Sequence, residues 1–240
     1  MNIRHVFMGI VIGIGAFSAA EAASPDTLET GAGPLLISLV GHGSVLFEFG
    51  GGVIHVDPFS RVGDYSSLPD ADLILITHAH GDHLDIGAIE KIRKPDTKIL
   101  LTETAYNRAG FGTVIKNGEE KEILGIRIQA VPAYNIKHMR DNGAPYHPKG
   151  EGNGYILTFG EKRIYVAGDT ENTPEMKALQ NIDVAFLPMN VPYTMTPEMV
   201  ADAAKAFRPK ILYPYHTGDA EKERLVRLIK NENNIEVRLR

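Results

Sequence analysis

The nine residues Thr77-His78-Ala79-His80-Gly81-Asp82-His83-Leu84-Asp85 carry three histidines and two aspartates, directly behind the apolar run "ADLILI". Imidazole nitrogen and carboxylate oxygen are the donors that zinc takes, with manganese or iron also suited. In an extended segment alternate side chains share a face, so His78 and His80 can converge on one ion. A tight turn at Gly81 then lets Asp82 and His83 swing toward a neighbouring ion. The plain alternative is a surface loop that happens to be rich in histidine. It sits poorly with four donor side chains in six residues just past a strand of buried character.

One loop cannot complete two coordination shells, so further donors must come from distant segments. Asp169 follows the strand-like "RIYVAG" and His216 ends "KILYPY". Donors at the C-terminal ends of strands are how open sheets build sites. Taken singly, Asp169 reads equally as a helix cap and His216 as a packed core histidine; beside the first loop both become candidate ligands. The chain has no cysteine, so thiolate ligation and disulfides are excluded. Asp57, in "HVDPF", reads as a support for the histidine loop rather than a ligand.

The elements that must position these side chains are short apolar or alternating runs punctuated by turn formers. "LLISLV", "SVLFEFG" and "GVIHVD" read as a strand meander, and "ADLILIT" as a strand buried on both faces. "LDIGAIEKIRK" has helical spacing and stops before Pro95. In the second half "GIRIQAV", "GYILTFG", "RIYVAGD", "DVAFLPM" and "KILYPYH" read as strands. "TPEMKALQ", "TPEMVADAAKAF" and "AEKERLVRLIK" read as helices, the first two opened by a Thr cap and a Pro at the first helical position. Strands followed by alternation, in both halves, imply an α+β chain of two sheets covered by helices.

Residues 1–22 read as a signal peptide: Arg4, then 12 apolar residues from Val6 to Phe17, then Ala20-Glu21-Ala22 before a cleavage point at Ala23. The run is too short for a bilayer core of about 30 Å. The expectation is therefore an exported protein, periplasmic or secreted, with no stable membrane insertion after cleavage. Residues 23–34 read as a flexible lead-in and residues 35–240 as one domain. The net charge is −5, with no cluster of lysine and arginine. This predicts no nucleic-acid partner and no polybasic membrane patch, and leaves a small molecule as the expected substrate. Oligomeric state is not written in the sequence.

"THAHGDH", "AGDT" and a late strand-end histidine together resemble the metallo-β-lactamase fold superfamily. "GHGSVLFEFGGGVIHVDPF" and "HPKGEGNGYILTFGEKRIYVAGDT" resemble its ascorbate-phosphate-lactonase-like branch of general metal-dependent hydrolases. The resemblance implies a four-layer αβ/βα sandwich with a dinuclear site at its edge. It implies His78 and His80 on the first metal, Asp82 and His83 on the second, Asp169 bridging, and His216 completing the second. Where that branch carries a histidine as the third ligand of the first metal, this chain reads "VPAYN", with Asn135. His147 is the expected replacement, with His138 and Asn135 as alternatives.

Two divalent ions, Zn2+ first, would acidify a shared water, so the expected activity is hydrolysis of an ester, lactone, amide or phosphoester by a metal-bound hydroxide, with Asp82 as the catalytic carboxylate. His42, Asn190 and Tyr193 are expected at the substrate pocket, with Thr194, Tyr134 and Tyr146 nearby. A degenerate, non-catalytic metal-binding protein is the alternative, prompted by Asn135; a di-iron oxidoreductase of the same fold is a third.

Overall fold

The computed structural model describes residues 24–240, so the segment read as a signal peptide lies outside the described residues. Strand periodicity organises the rest. In strand β5 (Ala71–Leu75) Leu73 and Leu75 enter one apolar layer, while Ile74 and the following Ile76 enter another. A strand buried on both faces has no room for polar alternation, and that is why this stretch is apolar throughout.

β5 is the fifth strand of a seven-stranded sheet that follows the chain: β1 (Asp26–Thr30), β2 (Gly33–Gly41), β3 (Ser44–Phe49), β4 (Gly52–Val56), β5, β6 (Arg93–Leu101) and β7 (Thr113–Val114). Its first four strands pair antiparallel and the rest parallel. The second half repeats the design with β8 (Glu120–Ile123), β9 (Ile126–Ala133), β10 (Gly152–Phe159), β11 (Lys162–Val166), β12 (Val184–Pro188), β13 (Ile211–Tyr215) and β14 (Glu236–Val237). Here β8 to β11 run antiparallel and β11 to β14 parallel.

Phe47, Ile54, Leu73 and Leu75 of the first sheet meet Tyr155, Phe159, Phe186 and Tyr213 of the second in one buried layer. Helices α1 (Ile86–Ile92) and α2 (Glu103–Ala109) cover the outer face of the first sheet through Ile89, Ile92 and Ala105. Helices α3 (Pro174–Lys177), α4 (Pro197–Phe207) and α5 (Lys222–Ile229) cover the second through Met176, Val200, Phe207 and Leu225. The result is a four-layer αβ/βα sandwich.

A flexible lead-in is expected over residues 23–34, but among the described residues 24–34 a strand forms. Asp26–Thr30 is an edge strand, in register with β2 from Asp26 opposite Ile37 to Thr30 opposite Gly33. Its single apolar residue, Leu28, packs against the inter-sheet layer, and the Asp26 carboxylate accepts from Tyr213 and pairs with Arg240. One apolar residue in five is too sparse to read as a strand, and the partners lie 187 and 214 positions away. Turn formers Gly31 to Gly33 close a hairpin rather than loosen a tail. Two helices are also shorter than their sequence spacing suggests. α1 ends at Ile92, where Arg93 turns extended ahead of Pro95, and α3 stops at Lys177.

Candidate metal centre

Strands β4, β5, β11, β12 and β13 all deliver their C-terminal ends to one edge of the sandwich. Asp57 follows β4, His78 follows β5, Asp169 follows β11, Asn190 follows β12 and His216 follows β13. The sheets are stitched together at this edge. Asn153 N–H donates to Thr77 O (2.8 Å), the Tyr155 hydroxyl to Ile76 O (2.8 Å) and His216 N–H to His42 O (2.8 Å). After β5 the chain turns sharply, with Leu84 N–H donating to His80 O at 2.7 Å. The second aspartate of the opening motif is structural: Asp85 caps α1 by accepting from Ala88 N–H, and also accepts from the Ser60 hydroxyl.

Two groups of donors result, each with its donor atoms within 4.8 Å of one another. His78, His80, His147 and Asp169 form the first; His42, Asp82, His83 and His216 form the second. In the first, His78 Nε2 lies 3.0 Å from His80 Nδ1, which lies 3.2 Å from His147 Nε2, and Asp169 Oδ2 stands 3.3 Å from His147 Nε2 and 3.9 Å from His78 Nε2. Four donors bound tetrahedrally at zinc distances stand about 3.3 Å apart, so this spacing suits a cation at the centre. In the second group Asp82 Oδ2 is 3.8 Å from His83 Nε2 and 3.6 Å from His216 Nε2. Asp169 reaches both groups: its Oδ1 is 3.5 Å from His83 Nε2 and its Oδ2 3.6 Å from His216 Nε2.

In His83, His78 and His147 the outward-facing ring nitrogen is committed to a hydrogen bond, which turns the other nitrogen inward. His83 Nδ1–H donates to Asp57 Oδ2 (2.7 Å). Thr77 Oγ1 donates to that same oxygen (2.6 Å) and accepts from His78 Nδ1–H (3.0 Å). His147 Nδ1–H donates to Asn135 Oδ1 (2.7 Å). Such partners fix the tautomer and aim of ligating histidines. Inside, His83 Nε2, His216 Nε2 and Asp169 Oδ1 are buried and have no hydrogen-bond partner. Buried polar atoms left unpaired cost free energy, so three aimed into one space fit a cation there.

Burial drives His78 well below the ordinary imidazole range, reinforced by the charge on His83. Burial acts on His83 in the same sense, but the Asp169 and Asp57 carboxylates around it outweigh that and hold its pKa well above the usual value. Burial opposes ionisation of Asp82 and Asp169 too, yet the surrounding histidines hold both carboxyls below the usual carboxylate range. His42, Asp57 and His216 take left-handed backbone at φ 51°, 46° and 49°, a strain that residues without a glycine's freedom bear chiefly at functional sites. Gly43 has a close approach to respect: a Cβ there would stand 2.8 Å from His83 Cε1.

Of the three candidates for the last donor of the first group, His147 occupies it. Asn135 stands behind His147 as its hydrogen-bond partner, and its own amide donates to Glu171 Oε1 (3.2 Å) and Tyr193 O (2.9 Å). His138 lies outside both groups, with Nδ1 2.7 Å from Glu171 Oε1 but too far off-line to hydrogen-bond. His42, expected to face substrate, also contacts Asp82 Oδ2 at 3.0 Å, and its ring lies 3.7 Å from that of His216 at a tilt of 41°. Asn190, Tyr193 and Tyr146 line a cleft of about 430 Å³ with His42, His80, Asp82, Arg140, His147, Asp169 and His216. Tyr134 and Thr194 do not line it. The Tyr134 hydroxyl donates to Glu175, and Thr194 folds back onto Asn190.

Glu171 and Arg140 carry no signal in the sequence. Glu171 is fully buried, and its carboxylate accepts from the N–H groups of Ile136, Lys137 and His138. A surface groove of about 710 Å³ near Arg93, Phe111 and Lys121 shares no residue with the cleft.

Comparison with known proteins agrees with the fold. Residues 36–216 match the family model for the beta-lactamase superfamily domain. A UPF0173 metal-dependent hydrolase of Methanopyrus kandleri is 30% identical over 196 residues, covering 76% of this chain and 84% of its own. One from Pyrococcus abyssi is 33% identical, covering 75% and 83%. Among solved structures, a Parabacteroides distasonis protein described as a metal-dependent hydrolase superposes with a TM-score of 0.86 at 48% identity, covering 90% of this chain and 97% of that one. A metallo hydrolase from Ignicoccus hospitalis gives 0.70 at 25% identity, covering 86% and 94%. The histidine-aspartate loop, the sandwich that presents it and these relatives all point one way: the chain belongs to the UPF0173 metal-dependent hydrolases of the β-lactamase superfamily.

Proposed function

We propose that the two donor groups hold two divalent cations, zinc by preference, and that the protein hydrolyses an ester, lactone, amide or phosphoester of a small molecule seated in the cleft. The observation that supports this most is the set of unpaired buried atoms, His83 Nε2, His216 Nε2 and Asp169 Oδ1, turned inward between the two groups. A nitrogen- and oxygen-only donor set suits zinc, and manganese or iron fit the same donors. Bound there, the ions supply Lewis-acid polarisation of the scissile group's oxygen and lower the pKa of water.

The chain's own residues do the rest. Asp82 lines the cleft with its side chain 37% exposed. Its Oδ2 faces His42, His83 and His216, which leaves Oδ1 to orient the attacking water. Asp57 and Thr77 hold His83 and His78 in the required tautomers, and Asn135 does the same for His147. The degenerate, metal-only alternative loses its motive, because His147 supplies the donor that Asn135 does not.

Metal analysis and a screen across the four bond classes test this reading. Wild-type protein stripped with chelator and reloaded should bind two ions per chain and regain activity. His147→Ala should hold about one ion tightly, since losing a coordinating imidazole weakens a site by orders of magnitude, and Asp82→Asn should be at least about 100-fold slower. Two tightly held ions in His147→Ala, or a fully loaded wild type inert on every bond class, would overturn it.

A further inference from the structure

The cleft carries a recognition element that hydrolysis by itself does not need. After β9 the chain makes a small hairpin in which Met139 bridges Pro145, Arg140 N–H donates to Ala144 O (2.7 Å) and Gly143 N–H donates to Arg140 O (2.8 Å). The hairpin sets Arg140 and Tyr146 side by side on the cleft wall. The guanidinium lies 4.9 Å over the Tyr146 ring, and Nη2 donates to Tyr146 O at 3.2 Å. Tyr193, from the loop after β12, meets Tyr146 edge-on at 5.1 Å and is 47% exposed.

Arg140 is the only lysine or arginine among the residues lining the cleft. Among the described residues its guanidinium has no carboxylate partner; both of its contacts are with Tyr146. A guanidinium stacked on an aromatic ring is held in one plane with most of its donors unspent, the arrangement that grips a carboxylate or phosphate through paired hydrogen bonds. Beside it, Tyr146 and Tyr193 offer a largely apolar surface with polar tips.

Resting on the hydrolase reading, we propose that Arg140 determines specificity: the substrate carries an anionic oxyacid group, carboxylate or phosphate, that docks on Arg140 while an adjoining apolar or aromatic portion lies against Tyr146 and Tyr193. The scissile bond then sits toward Asp82 and Asp169, which line the same cleft. Half-esters of dicarboxylic acids, lactones bearing a carboxylate and their phosphate-bearing counterparts are the chemical class that satisfies both ends.

Three 4-nitrophenyl esters of matched chain length test this, ending in a methyl, a carboxylate or a phosphonate. In the wild type kcat/KM for an anionic ester should exceed that for the neutral one by about tenfold or more, chiefly through KM. The ratio should fall to about one in Arg140→Gln and to an intermediate value in Arg140→Lys, which keeps the charge but not the fork. Comparing the carboxylate and phosphonate esters identifies which oxyacid the site prefers.

A second readout needs no turnover. The protein has nine tyrosines and no tryptophan, so tyrosine fluorescence of metal-stripped protein can follow titration with glutarate or with a short alkyl phosphonate. The Arg140→Gln variant should bind the preferred anion about tenfold more weakly than wild type. If no substrate of any of the four bond classes is hydrolysed but the anion still binds through Arg140, the hydrolase reading fails and the anion site stands. If the wild type hydrolyses all three esters equally and Arg140→Gln changes neither assay, the anion site is refuted and the hydrolase reading survives.

Discussion

His83 shows how a single residue couples the centre to pH. Its ring is wholly buried, with Asp57 on one nitrogen and Asp169 facing the other. Burial alone would strip its proton, but the two carboxylates prevail and raise its pKa well above the ordinary value. A histidine whose folded pKa exceeds its unfolded value of about 6.5 gives stability that is complete below that pH and is lost as pH rises through the folded value. The metal-stripped protein should therefore melt at progressively lower temperature as pH is raised above about 6.5. A cation on His83 Nε2 replaces that proton, so zinc added at pH 7 should expel about one proton per chain from this ring, read by calorimetry in buffers of different ionisation enthalpy. A melting temperature independent of pH together with no proton release would show that His83 is not the charged ring. His78 and His80 are pushed the opposite way, first by burial and then by neighbouring rings, and enter coordination already neutral.

Elements set the aim of these side chains through a few tight backbone contacts. Between β11 and Asp169, Gly168 holds φ +65°, and a Cβ there would stand 2.7 Å from Asn153 O and 2.9 Å from Thr77 Cβ. Backbone oxygen cannot rotate away as a side-chain tip can, so the strain must push β11 from β10 and the loop after β5. Gly168→Ala should cost about 2–4 kcal/mol in urea unfolding and weaken metal binding as well, because Asp169 serves both groups. Wild-type stability and metal content in that variant would contradict this account. The strands and helices themselves were legible where periodicity is dense, as in β5, β12 and α4. They were illegible where pairing rather than pattern makes the element. β1 has one apolar residue and is secured by Tyr213 and Arg240 from the far end of the chain. α2 was missed as well, although Thr102 caps it and Gly110 ends it in left-handed backbone.

At the scale of the molecule, two half-chains of like design share one apolar layer, and the metal centre lies where their strand ends meet. Phe186 is fully buried in that layer, stacked on Tyr213 at 4.9 Å and edge-on to Phe47 at 5.9 Å across the sheets. Phe186→Ala should destabilise the protein by about 3–5 kcal/mol, and both halves should still unfold in a single transition. Two separate transitions, by far-ultraviolet dichroism and tyrosine fluorescence, would mean that the sheets stand independently. Sequence by itself determined whatever depends on neighbours along the chain: the histidine-aspartate loop, the apolar strands behind the donors, the Thr-Pro caps and the exclusion of thiolate chemistry. Sequence favoured His147 as the donor that closes the first group but left His138 and Asn135 open, since all three lie within thirteen residues, and tertiary structure decided between them. Asn135 Oδ1 turns the His147 ring inward, and buried Glu171 gathers the backbone around His138 elsewhere. The same holds for Arg140, an unremarked surface arginine until its hairpin sets it over Tyr146 at the cleft. Coordination and recognition depend on distances of a few ångströms between segments far apart in the chain, and only the packing of the two sheets sets those distances.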